Sequence, residues 1–300
     1  MEISRHRWLI GLILGGVFIS AGSSWSTQLQ IATISSEPAE DIKKFHPFTM
    51  YLANQLHAEG ITEGRVVMGR NIGEMAVMLK NGRADLYIDS AFPTIAVSRQ
   101  SGSKLLLRRW KKELAEYHTV IFTKSSTAIS DVNGLKGKMI AFEEPTSTSG
   151  YLVPKLALTQ QGLKLVLKTS PTDPVAKDEV GYVFSNDDEN TMLFVVRGRV
   201  AAAATDNQTF LKEAHAEINN LRVLHRTFAL PRHLVSYRAD LAPRLVNAIK
   251  VVLSQMHLSE EGKKILVGFE RTSKFDEIPE PLLAPLLKAG KFIDAEVKSQ

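Results

Sequence analysis

The residues best placed to do chemistry are three consecutive hydroxyls, Ser147-Thr148-Ser149. They lie inside Glu143-Glu144-Pro145-Thr146-Ser147-Thr148-Ser149-Gly150-Tyr151-Leu152-Val153-Pro154. The run Lys138-Met139-Ile140-Ala141-Phe142 before them reads as a buried strand. Leu156 to Gln161 after them reads as a helix stopped at Gly162. Hydroxyls on a strand-to-helix turn sit beside unpaired N–H groups and the positive end of the helix dipole. Together such donors suit a tetrahedral or planar oxyanion. Gly150 reads as a place where backbone approaches a ligand. Pro154 fits a helix beginning near Ser149 to Tyr151, where a missing N–H costs little. The plainer reading is that one hydroxyl caps the helix and binds nothing.

Other chemistries find less support. There is no Gly-x-Ser-x-Gly, and His118, His215 and His233 stand at no recognisable spacing from Ser147 or Ser149. No catalytic residue is assigned, and an enzyme is not expected. His-x-x-x-His and Glu-x-x-His spacings are absent, so neither a metal nor a cofactor is expected. Cysteine is absent, which removes disulfides and thiolate chemistry. Asp188 and Asp206 follow strands and precede helical stripes; Asp206 reads equally as an N-cap or a ligand contact. Arg108-Arg109-Trp110-Lys111-Lys112 reads as an exposed strand end with snorkelling side chains, and Met68, Met75 and Met78 as core.

The elements that must position these residues follow from composition and periodicity. The chain has 300 residues, 44% hydrophobic and 23% charged, with net charge +5. That length suffices for two lobes, and no Lys/Arg run resembles a nucleic-acid patch. Arg5-His6-Arg7, the apolar block Trp8 to Ile19 and the small residues Ser20 to Ser24 have signal-peptide order, giving a leader over 1–26 and an exported protein. An uncleaved membrane anchor is the competing reading.

Leu29–Ile34, Arg65–Met68 and Ala84–Ile88 read as strands, separated by the helical stripes Phe48/Leu52/Leu56 and Ile72/Met75/Ala76/Leu79. Tyr117–Thr123, Lys138–Phe142, Gly181–Phe184 and Val200–Thr205 repeat the pattern in a second unit. Leu221–Leu224, Leu234–Tyr237 and a mostly helical tail close the chain. The fold class is therefore α/β, with mostly parallel sheets in two lobes and no linker. Ligands in such folds bind outside the carboxyl ends of the strands, here 88–90, 142–149, 184–188 and 205–206, which should face one cleft.

In this order, Phe45-His46-Pro47-Phe48, Lys80-Asn81-Gly82-Arg83-Ala84-Asp85, Asp131 to Lys138, the Ser-Thr-Ser-Gly-Tyr block and Val183 to Gly198 resemble one family. It is the phosphate/phosphite/phosphonate-binding family of periplasmic solute-binding proteins of ABC transporters. The resemblance implies a two-lobe periplasmic-binding fold of the second type, closing over a ligand about a two-crossing hinge. It implies lobe 1 over 27–114 and 224–300, and lobe 2 over 115–223. Ser147, Thr148 and Ser149 match the anion-gripping turn. Phe45 stands where the family has a tyrosine, and Asn186-Asp187-Asp188-Glu189 where it usually has a histidine. Asp206 matches the family's later acid. The expected contacts are therefore Ser147, Thr148 and Ser149 as donors, Ser90 in the facing loop, Phe45 and Phe92 as the opposite wall, and Asp188 and Asp206 as acceptors. The expected ligand is a small oxyanion of the phosphonate type. The expected partner is an ABC permease or, alternatively, a sensor-kinase ectodomain, with the receptor monomeric in the periplasm.

Overall fold

The structure, a computed structural model, describes residues 28–35, 37–213 and 220–299. The segment read as a signal peptide and His215 lie outside them. Among the described residues no helix is long and apolar enough to cross a membrane.

The first part of the chain runs β1 (Gln28–Ile34), α1 (Pro38–Gln55), β2 (Glu63–Gly69), α2 (Ile72–Lys80), β3 (Leu86–Asp89), α3 (Ala91–Ser101) and β4 (Lys104–Arg109). A crossing strand β5 (Glu116–Tyr117) leads to β6 (Thr119–Lys124) and β7 (Lys138–Phe142). One π-helical turn, Thr148–Leu152, then runs into α4 (Val153–Gln160). Next come β8 (Lys164–Leu167), β9 (Glu179–Phe184), α5 (Asp188–Val196), β10 (Ala202–Asp206), α6 (Asn207–Glu213) and β11 (Leu221–Arg226). A return crossing, β12 (Leu230–Pro231), precedes β13 (His233–Tyr237), α7 (Pro243–Gln255), α8 (Glu260–Gly268), β14 (Phe275–Asp276), α9 (Glu280–Lys288) and α10 (Gly290–Ser299).

Alternating strands and amphipathic helices give two six-stranded sheets, ordered β14-β4-β13-β3-β1-β2 and β11-β6-β10-β7-β9-β8. In the first, β1 is parallel to β2 and β3, while β13 is antiparallel to both β3 and β4. In the second, β7 is parallel to β9 and β10, and β6 is antiparallel to β10 and β11. The crossings β5 and β12 pair antiparallel, Leu230 opposite Tyr117, so the two links between the sheets lie side by side. β11 continues to Arg226 within the second sheet.

Local chemistry explains the element ends. Asn71 caps α2 by accepting the Glu74 N–H, and the turn after α2 uses Gly82 at φ +66°. Each sheet is covered on both faces. α1, α7 and α8 bury Phe48, Leu52, Ile249 and Leu266 on one face of the first sheet, and α2, α3, α9 and α10 bury Met75, Phe92, Leu286 and Ile293 on the other. Leu152 and Val153, from the second lobe, are buried in that latter cluster, so the lobes are closed on each other.

Candidate functional site

Four strand-to-helix junctions meet between the lobes. Asp89 and Ser90 come from β3–α3, Glu143 to Ser149 from β7 and its π turn, Asp188 from the start of α5, and Asp206 from the end of β10. With Lys111, Lys112, Tyr117, Arg232 and His233 they line a cavity of about 240 Å³. The carboxyl ends of strands from both sheets thus converge on one space, as the strand pattern implied.

The hydroxyl turn is stitched into the protein. Ser147 is the N-cap of the π turn: its Oγ accepts the Gly150 N–H at 2.9 Å and donates to Glu143 at 2.6 Å. Thr148 spans the lobes, its Oγ1 accepting the Phe92 N–H at 2.8 Å and donating to Ser90 at 2.9 Å. The Ser149 carbonyl accepts from Thr119 at 2.9 Å, and the Tyr117 hydroxyl hydrogen-bonds Ser149 and Thr148. α4 begins at Val153, so Pro154 falls in its first turn, where no N–H is required. At Gly150 the structure shows a packing requirement. A Cβ there would lie 2.5 Å from both Cβ and Oε2 of Glu143, so glycine makes room for that side chain.

Carboxylates dominate one side. Burial, then Asp188, pushes Glu143 up to about 7, against the opposing Ser147 hydrogen bond. Burial raises Asp188 too, although Thr205 donates to it at 2.8 Å. Asp89 is raised to about 6, chiefly by burial, while accepting the Tyr87 hydroxyl at 2.8 Å and the Ser90 N–H at 2.6 Å. Asp206 both lines the cavity and caps α6, accepting from the Gln208 and Thr209 N–H groups at 2.9 and 3.1 Å. The N-cap reading of that residue therefore holds, and the residue also borders the cavity.

Cations supply the other side, where a different expectation fails. The Arg108–Lys112 run is not an exposed strand end. Arg109 is fully buried, its guanidinium 3.6 Å from the Phe269 ring centroid, and burial pulls its pKa down to about 10. Arg108 pairs with Asp276 and Glu116, each at 2.9 Å. Lys111 and Arg109 share Glu270; despite its burial, these two cations hold Glu270 at about 2. Lys112 and Arg232 enter the cavity. His233 is buried with Nδ1 unpartnered, and burial together with Lys111 and Arg109 keeps its ring neutral.

Of the residues picked from sequence, the structure brings Ser147, Thr148, Ser149, Ser90, Asp188 and Asp206 together. It does not place Phe45 or the Phe92 ring in the cavity wall. α1 starts at Pro38, so Phe45 falls in mid-helix and turns into the core, edge-on to Phe269 at 4.8 Å. Phe92 reaches the hydroxyl turn through its backbone N–H while its ring packs in the core. Arg232, Tyr117, Glu143 and Lys112 were not picked. Arg232 follows the two-residue crossing β12, too short for a periodic signal, and Tyr117 was read only as the start of a strand.

A second network ties the same turn to the other lobe. The Tyr151 hydroxyl donates to Glu296 of α10, and Lys155 Nζ binds Glu296 at 2.7 Å and the Tyr182 hydroxyl at 3.1 Å. α10 is held on α3 by the Arg99–Asp294 pair and by buried Ile293.

A family model described as "ABC transporter, phosphonate, periplasmic substrate-binding protein" matches residues 31–280. The chain therefore belongs to the phosphonate-binding family of ABC-transporter periplasmic substrate-binding proteins. Its fold is that of the two-lobe periplasmic-binding proteins of the second type. XAC2383 from Xanthomonas citri, solved bound to chloride ion, superposes with TM-score 0.82 at 25% identity, covering 91% of this chain and 98% of that one. The same protein solved bound to ATP gives 0.81, at the same identity and coverage. PhnD1 from Prochlorococcus marinus (MIT 9301), solved with methylphosphonate, gives 0.65 at 18% identity, covering 89% of this chain and 98% of that one.

Proposed function

We propose that this chain is an exported, monomeric solute-binding receptor that captures a small oxyanion of the phosphonate, phosphite or phosphate type and delivers it to an ABC permease. The observation that carries this reading is the convergence of four strand-to-helix junctions from both sheets on one small cavity that also receives Lys111, Lys112 and Arg232. Cations and hydroxyl donors around a cavity of about 240 Å³ suit a ligand of few atoms with negative oxygens. The relative solved with chloride and with ATP supports an anionic ligand. Ser147, Thr148 and Ser149 serve as hydroxyl contacts, and Ser90 completes the cradle from the facing lobe. The ligand's differential affinity for the closed form drives closure, and the closed form is what the membrane partner reads. The reading includes no enzymatic step.

The carboxylates refine this picture. Glu143, near 7, is available as a neutral acid that donates a hydrogen bond. A singly protonated oxyanion, or one carrying a positive group, complements Asp188 and Asp206. The five carboxylates that line the cavity also favour a second reading, a receptor of the same fold for a different small ligand, signalling to a sensor kinase.

Isothermal titration with methylphosphonate, phosphite and phosphate tests the proposal. Binding by one of them, abolished by combined Ser147→Ala and Ser149→Ala, supports it. Saturating concentrations without heat or thermal shift would rule the oxyanion out.

A further inference from the structure

Two cations at the cavity are unspent. The Arg232 guanidinium lies over the Tyr117 ring, 4.5 Å from its centroid, so one crossing strand stacks on the other. Its Nε is buried without a hydrogen-bond partner, and among the described residues no carboxylate is ion-paired with it. Lys112 is exposed and, among the described residues, its ammonium too is ion-paired with no carboxylate; its backbone is in the left-handed region at φ +53°. Neighbouring cations are committed: Lys111 and Arg109 to Glu270, and Arg108 to Asp276 and Glu116. Next to Arg232, His233 also lines the cavity, and its buried Nδ1 has no hydrogen-bond partner. A planar fork of donors with no internal partner is built to meet a bidentate oxyanion.

The surroundings say where the rest of the ligand goes. Lys112, Asp188, Asp206 and Arg232 are shared between the small cavity and a larger one of about 720 Å³. The larger chamber is lined by Glu113, Glu189, Gln208, Thr209, Lys212 and Arg271 besides the shared four, with Leu114 its single apolar residue. The charged and amide ends of this wall offer hydrogen bonds to hydroxyls.

We propose that Arg232, with Lys112, grips the charged oxygens of the oxyanion at the junction of the two chambers, and that the larger chamber receives a polar, hydroxylated substituent on it. The ligand class is then a phosphate or phosphonate bearing a polyhydroxylated group, not a bare or alkyl one. This rests on the oxyanion reading above and narrows it.

The test is titration of wild type, Arg232→Gln, Arg232→Lys and Gln208→Trp with methylphosphonate, inorganic phosphate and glycerol 3-phosphate, with each unliganded melting midpoint recorded. Glycerol 3-phosphate should bind wild type about tenfold or more tighter than methylphosphonate. Arg232→Gln should weaken all probes by about tenfold or more while its unliganded midpoint stays close to wild type, a split that a merely structural arginine would not give. Arg232→Lys should recover only part of the loss. Gln208→Trp should erase the advantage of glycerol 3-phosphate and leave methylphosphonate within about twofold. Unchanged affinities in Arg232→Gln overturn the role of Arg232. An unchanged preference in Gln208→Trp, or no preference in wild type, overturns the role of the larger chamber. If wild type binds no probe, the oxyanion reading falls, and this inference with it.

Discussion

Ser147 gives its hydroxyl proton to Glu143, 2.6 Å away, instead of holding it free for the cavity. The first hydroxyl of the Ser-Thr-Ser turn is thereby coupled to a carboxyl that burial and neighbouring acids hold near 7. An acid that is harder to ionise folded than unfolded stabilises the fold while protonated. Its contribution is complete below the unfolded value of 4.5 and is lost as pH rises towards 7. Asp89, raised to about 6, adds to the same slope. The unliganded protein should therefore lose on the order of 5 °C in melting midpoint between pH 5 and 7.5. Glu143→Gln should flatten most of that loss. Melting curves across this range check it, and a profile that is flat in wild type or unchanged in the variant removes the coupling.

Gly150 should not tolerate a side chain. The added methyl of Gly150→Ala meets the Glu143 Cβ and Oε2 at 2.5 Å, so Glu143 must leave its place against Ser147. Overpacking of this kind costs about 1–3 kcal/mol. Denaturant unfolding should show that loss in Gly150→Ala, and Glu143→Gly in the same chain, which removes both contacting atoms, should restore part of it. No rescue would mean that the two side chains do not compete for this space.

Glu296 should act on closure as well as stability. The side chains of Lys155 and Glu296 are 12% and 9% exposed, and Glu296→Ala leaves the buried ammonium without its carboxylate. Breaking such a pair costs about 3–5 kcal/mol when both lobes stay closed. Opening the lobes lets Lys155 reach water, so part of the cost should appear as a larger radius of gyration in small-angle scattering of the unliganded variant. Compact scattering together with unchanged unfolding would show that Glu296 does not hold the lobes.

Phe45→Ala should affect the fold and spare the ligand. The ring is 4% exposed and packs edge-on to Phe269 beside stacked Phe48. Its removal should cost about 3–5 kcal/mol. Affinity for an oxyanion, measured at a temperature where the variant is folded, should stay within about twofold of wild type, since a change under about 0.4 kcal/mol is within that range. A tenfold loss would return Phe45 to the binding site.

Most strands of both sheets were readable because each is a short apolar run bounded by turn residues; β14, two residues inside a tail read as mostly helical, was not. Their carboxyl ends were readable as one cleft because parallel strands leave few other places for a site. The start of α1 was missed: Glu37 makes no side-chain cap, and the signal that was there, Pro38 at the first position with Glu40 and Asp41 in the first turn, was passed over. The register of Phe45 was lost with it. Lys111 and Arg109 looked solvated because their carboxylate, Glu270, comes from a distant turn held in the left-handed region at φ +53°. Arg232 was illegible for a related reason: its meaning lies in Tyr117 on the opposite crossing and in the carboxylate it lacks.

The place of β13 between β3 and β4 imposes an order of assembly. When the chain has reached Arg109, the first sheet still lacks the strand that joins its two halves. The whole of the second sheet is then laid down before His233 arrives to fill the gap. The second lobe is contiguous in sequence and can condense early; the first must wait for a partner of high sequence separation. A nascent chain of this topology stays incompletely folded for most of its synthesis, which is the condition an exported polypeptide needs until it has crossed the membrane.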